Sequence, residues 1–115
     1  MDVNEILQDM YSADTENEGY QEECVFLSDH MLKHGVDFLP DMTDELILAE
    51  NLLYPLLRAW LIKPTPELYK ALNNTMHEAH RKYIYEWAVN LKEILEKEDI
   101  TVVGDPKVFP PYPNE

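Results

Sequence analysis

Four histidines form two pairs at helical spacing, with His30 and His34 four residues apart and His77 and His80 three residues apart. Each pair could place two imidazoles on one side of a helix, which is the spacing used by helical metal sites. If the two helices packed together, a four-histidine site would be conceivable. The second pair lacks the three-residue gap of H-E-x-x-H, and the Glu-x-x-His pairs of di-iron bundles are absent. We therefore expect neither a bound metal nor a cofactor.

A second candidate for ligand chemistry is the acidic stretch 12–19, which places carboxylates on alternate residues at Asp14, Glu16 and Glu18. Calcium loops carry acidic residues at alternate positions before a glycine and end on a bidentate glutamate. The first part carries glutamate where such loops carry aspartate or asparagine, and no glutamate follows at the required distance. The pattern is more typical of a solvated loop that ends at Gly19.

Nucleophilic catalysis has little support in the chain. Cys24 is the single cysteine, so an internal disulfide and a multi-cysteine metal site are both excluded. It occupies a helical core position, which favours a buried structural thiol. The two serines, Ser12 and Ser28, lie in no nucleophile-elbow motif, and three scattered glycines cannot build a phosphate loop. We expect a protein that is not an enzyme.

The negative charge is unevenly distributed along the 115 residues. Residues 1–50 carry 14 acidic residues and one base, Lys33, whereas residues 51–115 carry nine acidic residues and eight bases, so the net charge of −14 divides into −13 and −1. Such a surface repels phosphates and attracts basic patches on proteins. Direct nucleic-acid binding is therefore not expected, and a partner protein with a basic surface is. The alternative is that the acids only increase solubility.

The stretch that must organise the fold is 43–63, which is apolar almost all round a helical wheel. A helix of that kind must be covered on nearly every side, which makes it the central helix of a small bundle. Pro55 lies inside it and predicts a kink, because it removes one backbone hydrogen bond. Arg58 lies on its narrow polar strip and could reach free carbonyls or an acid on a neighbouring helix. Glu50 points toward the apolar side, where a carboxylate needs a partner.

A membrane span is the alternative for the same stretch, and we reject it. The apolar run 46–62 has 17 residues and is interrupted by charges, whereas a span needs about 20 mostly apolar residues. The N-terminus begins without basic residues or a long apolar run, so no signal peptide is expected. We therefore expect no membrane association and a cytoplasmic location, which would be the host cytoplasm if the protein is viral.

Two helices are expected before the central one. The first is short, begins near Asp2 and would be marginal alone. The second covers Tyr20–His34 and ends at Gly35 as its C-cap. Phe26 falls on the polar side of this second helix, so it either packs under the loop 36–40 or serves as an exposed anchor for a partner. The apolar stripe of the second helix comprises Tyr20, Cys24, Leu27 and Met31, widened by Val25 and Leu32.

After the central helix, Thr65 is a good N-cap and Pro66 a good first helical residue. The helical pattern then continues to about Glu98, which predicts a long last helix with one end projecting, or else a break near Asn73 and Asn74. The tail changes to β-type residues at 100–103, a turn and a Pro-rich end, and could either pack along the bundle or remain free. The predicted buried seam is Leu68, Leu72, Met76, Tyr83, Trp87, Leu91 and Ile94.

These patterns predict an all-α fold: one bundle of about four helices over residues 1–103 and an extended C-terminal tail over 104–115. For function they favour a non-enzymatic acidic module that docks on a basic partner surface, as a viral-type inhibitor or nucleic-acid mimic would. The alternative is a structural or adaptor subunit of a larger assembly, such as a homodimer or a virion. The expected partner-binding residues are Asp9, Asp14, Glu16, Glu18, Glu22, Glu23, Phe26 and Asp29.

Overall fold

The computed structural model describes residues 3–12, 20–39, 46–76, 81 and 83–109, and for the side chains it leaves out 9–12, 20 and 46–49 as well. Within these ranges there is no strand, which confirms the predicted all-α class. The Cα radius of gyration is 13.4 Å, close to the roughly 13 Å expected for a compact chain of this length. The helices within the described ranges are α1 (Val3–Ser12), α2 (Tyr20–His34), α3 (Leu46–Ile62), α4 (Pro66–Thr75) and α5 (Ile84–Lys97), followed by a short 3-10 helix at Pro106–Val108.

Helix α3 is the centre of the fold, as its apolar sequence predicts. Helices α1, α2, α4 and α5 all pack against it. Every residue from Asn51 to Leu61 is buried except Tyr54, which is half-buried. The helix continues through the buried Pro55, and the kink at that point stays a prediction. Glu50 is exposed, so the expectation that its carboxylate needs a partner does not hold, because it keeps its contact with water.

Helix α2 has the predicted bounds and the predicted cap. Gly35 has a φ of +83°, and its N–H donates to the Met31 carbonyl at 2.9 Å. A left-handed residue at this position satisfies an orphan carbonyl, and glycine adopts it without steric cost. Val25 is 41% exposed, so its predicted place in the core is wrong. The buried residues of α2 are Glu23, Cys24, Leu27, Ser28 and Met31.

The predicted long last helix is interrupted after Thr75. Thr65 caps α4 as expected, because its Oγ1 accepts a hydrogen bond from the Leu68 N–H at 3.2 Å. Helix α4 ends at Thr75, and the following Met76 is extended. The break predicted as the alternative therefore occurs just after Asn73 and Asn74. Asparagine and threonine are weak helix formers, so the backbone can leave the helix here at little cost.

Helix α5 buries a different face from the one predicted. Tyr83 and Ile94, which were expected in the seam, are 48% and 45% exposed. Leu91 is buried as predicted, whereas the other buried residues each lie one position after a predicted one. Both stripes have helical spacing, so the sequence pattern alone could not distinguish them. Once the chain breaks after α4, α5 is free to turn the aliphatic stripe inward. Its buried residues are Ile84, Ala88, Leu91 and Leu95.

The chain after α5 forms a C-terminal strap, residues 103–109, that packs on the end of α3. The backbone N–H groups of Val103 and Gly104 both donate to the Leu61 carbonyl, at 2.9 and 2.8 Å. This carbonyl has no partner inside α3, so the strap satisfies a helix terminus. A Cβ on Gly104 would come within 2.9 Å of the Trp60 ring, which is why the backbone can approach so closely only at a glycine.

Phe109 fixes the far end of the strap. Its ring packs against Trp60 at a centroid distance of 5.0 Å and stacks on Tyr69 at 6.3 Å. The N–H groups of Val108 and Phe109 donate to the carbonyls of Asp105 and Pro106, so this part of the strap forms a 3-10 turn rather than a strand. The packed alternative therefore holds as far as Phe109. Residues 110–115 lie outside the described ranges, and the boundary between residues 103 and 104 stays a prediction.

The left-handed backbone at Asp99, just after the end of α5, allows a test of local strain. It has a φ of +60°, in the left-handed region that costs most residues about 1–2 kcal/mol and aspartate somewhat less. The next N–H, of Ile100, donates to the Leu95 carbonyl at 3.0 Å, so this conformation is part of the helix end. We expect Asp99→Gly to raise the free energy of unfolding by about 0.5–1 kcal/mol. Urea denaturation measures this change, provided that the dependence of the free energy of unfolding on urea concentration is the same in both proteins.

The control for the lost charge is Glu98→Gln, at the exposed neighbour of Asp99. We expect this variant to change the free energy of unfolding by less than about 0.3 kcal/mol. A lower urea midpoint for Asp99→Gly than for the unsubstituted protein would show that the left-handed turn at residue 99 is not a source of strain.

Candidate functional site

The predicted partner-binding residues differ in their exposure in the structure. Glu22 is exposed on α2, the Asp29 side chain is 54% exposed and Phe26 is half-buried. These three therefore share one outer side of α2. Asp9 lies in α1 with its side chain outside the description, and Asp14, Glu16 and Glu18 lie outside the described residues altogether. The eighth, Glu23, is buried.

Glu23 is only 7% exposed, so it does not belong to the surface on which we placed it. It precedes Leu27 by four residues and Met31 by eight, which is the spacing of one helix face. Its side chain consequently packs on the interior side of α2 with those residues. The helical position of Glu23 indicates the interior, whereas its acidic side chain favours the surface, and in the structure the helical position decides.

The exposed side of α2 contains an open depression of about 450 Å³, which we call the α2 groove. Its apolar part comes from Val25 and Phe26. Glu22 precedes this pair by one turn and Asp29 follows it by one turn, so an acid stands at each end. The exposure of Val25 was missed from the sequence, where it was assigned to the core. The groove is lined by Gln21, Glu22, Val25, Phe26 and Asp29.

Asp29 is held in place from behind by Arg58 of α3. Arg58 Nη1 lies 3.2 Å from Asp29 Oδ1 and donates to Ser28 Oγ at 2.9 Å. The Arg58 side chain is 7% exposed, so this guanidinium needs a polar partner in the interior, which Ser28 provides, while the more exposed Asp29 meets it at the surface. The prediction that Arg58 reaches an acid on a neighbouring helix is confirmed. Asp29 thus has a fixed orientation, and its charge is partly offset by Arg58.

The aromatic side of the groove continues into the loop after α2. Phe26 stacks on His30 at 6.5 Å, and His30 meets the edge of Phe38 at 4.7 Å. Phe26 is therefore linked to the loop through His30, while part of its ring still lines the groove. His34 lies 4.7 Å from His30 but is exposed, on the outer side of the helix end.

The second histidine pair, His77 and His80, lies outside the described residues, and so the four-histidine arrangement is not described. Among the residues that the structure does describe, no three His, Cys, Asp or Glu side chains come together as a metal ion would require.

The interior side of α2 faces Tyr54 of α3. Cys24 is 1% exposed, as its predicted core position implies. Burial is the main cause that raises the pKa of the Tyr54 phenol above its ordinary value. Negative charge on Cys24 and Glu98 would raise that pKa further, and the Arg58 guanidinium opposes the shift. Neutral Tyr54 is accordingly favoured, and it serves as part of the packing between α2 and α3.

In the described part of the chain, no helix combines the length and the apolar character needed to cross a bilayer. Comparisons of the chain with family profiles, with curated proteins and with solved structures find no match.

Proposed function

We propose that the protein is a non-enzymatic, acidic protein-binding module whose N-terminal half docks on a basic surface of a partner protein. The observation that carries the proposal is the α2 groove, where exposed acids flank exposed apolar side chains. This groove lies within the half of the chain that carries a net charge of −13, from 14 acidic residues and one base. Apolar contact supplies affinity at such a surface, and charge supplies the approach rate and partner choice.

The sign of the charge narrows the class of partner. A surface of this kind repels phosphates, so nucleic acid itself is a poor ligand. A basic surface that normally faces nucleic acid would attract it, which is how a nucleic-acid mimic or a viral-type inhibitor would work. In this proposal the protein acts in the cytoplasm, of the host if the protein is viral.

The proposal predicts a salt-sensitive complex. We expect a partner captured on immobilised protein at about 0.05 M salt to be released by about 0.5 M, since the screening length falls several-fold over that range. Glu22→Lys should weaken capture about tenfold, because it reverses a charge at the groove. Glu93→Lys makes the same charge change on the exposed part of α5 and should weaken capture less than threefold. Capture that is independent of salt would contradict the proposal.

A structural or adaptor role is the second candidate, and a different surface favours it. Several large apolar side chains are exposed at the start of α5, on it and after it: Tyr83, Ile94, Val103 and Val108. If this surface joins two copies of the chain, sedimentation will give a dimer that Ile94→Ser dissociates. A single monomeric species across the micromolar range would contradict that role.

A further inference from the structure

The order of acidic and apolar residues along the α2 groove specifies the partner more closely than its net charge does. Glu22 stands at one end, Val25 and Phe26 in the middle and Asp29 at the other end. We propose that the groove binds one face of a basic amphipathic helix in the partner protein. In that complex an aliphatic pair of the partner covers Val25 and Phe26, and two cations meet Glu22 and Asp29. This inference rests on the proposed function and specifies its binding element.

The spacing of the acids sets the spacing of the cations. Glu22 and Asp29 are seven residues apart, which is two turns and about 10.5 Å along the axis. A partner helix that packs alongside α2 rises by the same distance per residue, so its lysines or arginines should also be about seven residues apart. The residues three and four positions after the first cation lie on the same face, midway between the charges. The expected pattern is therefore cation, two residues, two aliphatic residues, two residues, cation.

A helix fits this arrangement better than an extended peptide. An extended chain covers about 10 Å in three residues, and its successive side chains point to opposite faces. Two cations three residues apart in a strand would consequently face opposite ways and could not meet both acids. In a helix, the two cations and the aliphatic pair all lie on one face.

Two features of the free protein favour binding at this groove. The contacts that Arg58 makes with Asp29 and Ser28 hold one acid before the partner arrives, which reduces the ordering cost of association. Val25 is 41% exposed, so covering it removes apolar surface from water. Asp29 keeps more than half of its side chain accessible, and an incoming cation can therefore contact it while Arg58 stays bonded to Ser28.

The test uses a synthetic peptide as the probe. It is an alanine-rich helix of about 18 residues, long enough to be partly helical alone, with two arginines seven positions apart and a leucine pair midway. One control peptide replaces the leucine pair by serines. The other moves the second arginine to five positions from the first, which places the two arginines on different faces. Fluorescence anisotropy gives the affinities, and amide chemical shifts locate the contact.

We expect the probe to bind at least tenfold more tightly than either control peptide, with shifts concentrated at residues 21–29. Val25→Ser should weaken binding at least fivefold, because it removes the apolar contact with the leucine pair. Glu22→Lys should weaken binding at least tenfold, because it replaces the acid that meets an arginine of the probe. The matched controls are Val103→Ser and Glu93→Lys, both at exposed positions distant in sequence from α2. A probe with its first arginine changed to glutamate should recover affinity for Glu22→Lys.

The outcomes separate this inference from the proposed function. If the probe binds no more tightly than its serine control, or if Val25→Ser and Glu22→Lys behave like their matched controls, the inference is wrong. Salt-sensitive capture that Val25→Ser leaves unchanged would preserve the proposed function and overturn the helix-binding groove. Salt-insensitive capture together with no binding of the probe would overturn both.

Discussion

Phe109→Ala is expected to lower the free energy of unfolding by about 3 kcal/mol, the cost typical of removing a buried phenylalanine. Phe109 is 5% exposed and contacts both Trp60 and Tyr69. Its removal opens a cavity beside the last turn of α3 and also releases the end of the strap. Urea denaturation followed by tryptophan fluorescence is a direct measurement, because Trp60 is part of the contact.

The neighbouring Val108 is the matched control. It is 46% exposed, so Val108→Ala should change the free energy of unfolding by less than about 0.5 kcal/mol. Equal effects of the two substitutions would show that Phe109 does not hold the strap. In a Trp87→Phe background, where Trp60 is the one tryptophan, an unchanged emission spectrum of the folded Phe109→Ala variant would contradict the ring contact itself.

Arg58→Ala is the substitution with the next largest expected effect, a loss of about 2–3 kcal/mol. Ser28 is fully buried, and an unsatisfied buried hydroxyl costs about 1–3 kcal/mol. The long stem of Arg58 also leaves a gap between α2 and α3. The ion pair itself contributes little, because Asp29 is 54% exposed and exposed pairs are screened by water. Chemical denaturation measures the loss.

Two other substitutions separate these contributions. Asp29→Asn removes the charge pair and retains the Ser28 contact, so we expect a loss below about 1 kcal/mol. Arg81 is exposed and bonds only weakly, to Asn73 Oδ1 at 3.3 Å, and Arg81→Ala should be nearly neutral. If Asp29→Asn proves as costly as Arg58→Ala, the ion pair is the dominant contribution, contrary to our assignment.

The parts of the fold that the sequence predicted correctly have local causes. Gly35 ends α2 because its backbone enters the left-handed region, and Thr65 starts α4 because its hydroxyl caps the helix. Both effects act within one turn of the residue. The position of α3 was also predictable, since a helix that is apolar on nearly every side can only be central.

The errors occur where a helix has two possible inner faces. In α5 the stripes containing Tyr83 and Ile84 have the same spacing, and only packing on α3 decides between them. The break after Thr75 is similar, because weak propensity permits a break and tertiary contacts decide whether it occurs. The β-type residues at 100–103 form no strand in the described part of the chain, because the N–H groups of Val103 and Gly104 bond to the helix-end carbonyl of Leu61 instead.

The candidate site was predicted in part. Glu22 and Asp29 were correctly placed on the outside of α2 from their helical positions, whereas Glu23 was assigned by its charge and lies inside. The groove itself depends on Val25 being exposed beside Phe26, which requires knowing where α3 lies. The contact between Arg58 and Ser28 joins residues 30 positions apart, and no local pattern identifies Ser28 as the partner.

The strap has a consequence for the turnover of the protein. Its anchor, Phe109, follows every helix that it completes along the chain, so the site between Trp60 and Tyr69 stays open until the strap docks. A chain whose strap is undocked would display an apolar site that chaperones bind and quality-control proteases can reach. Docking of the strap, rather than assembly of the helices, would then be the step that protects the polypeptide from turnover.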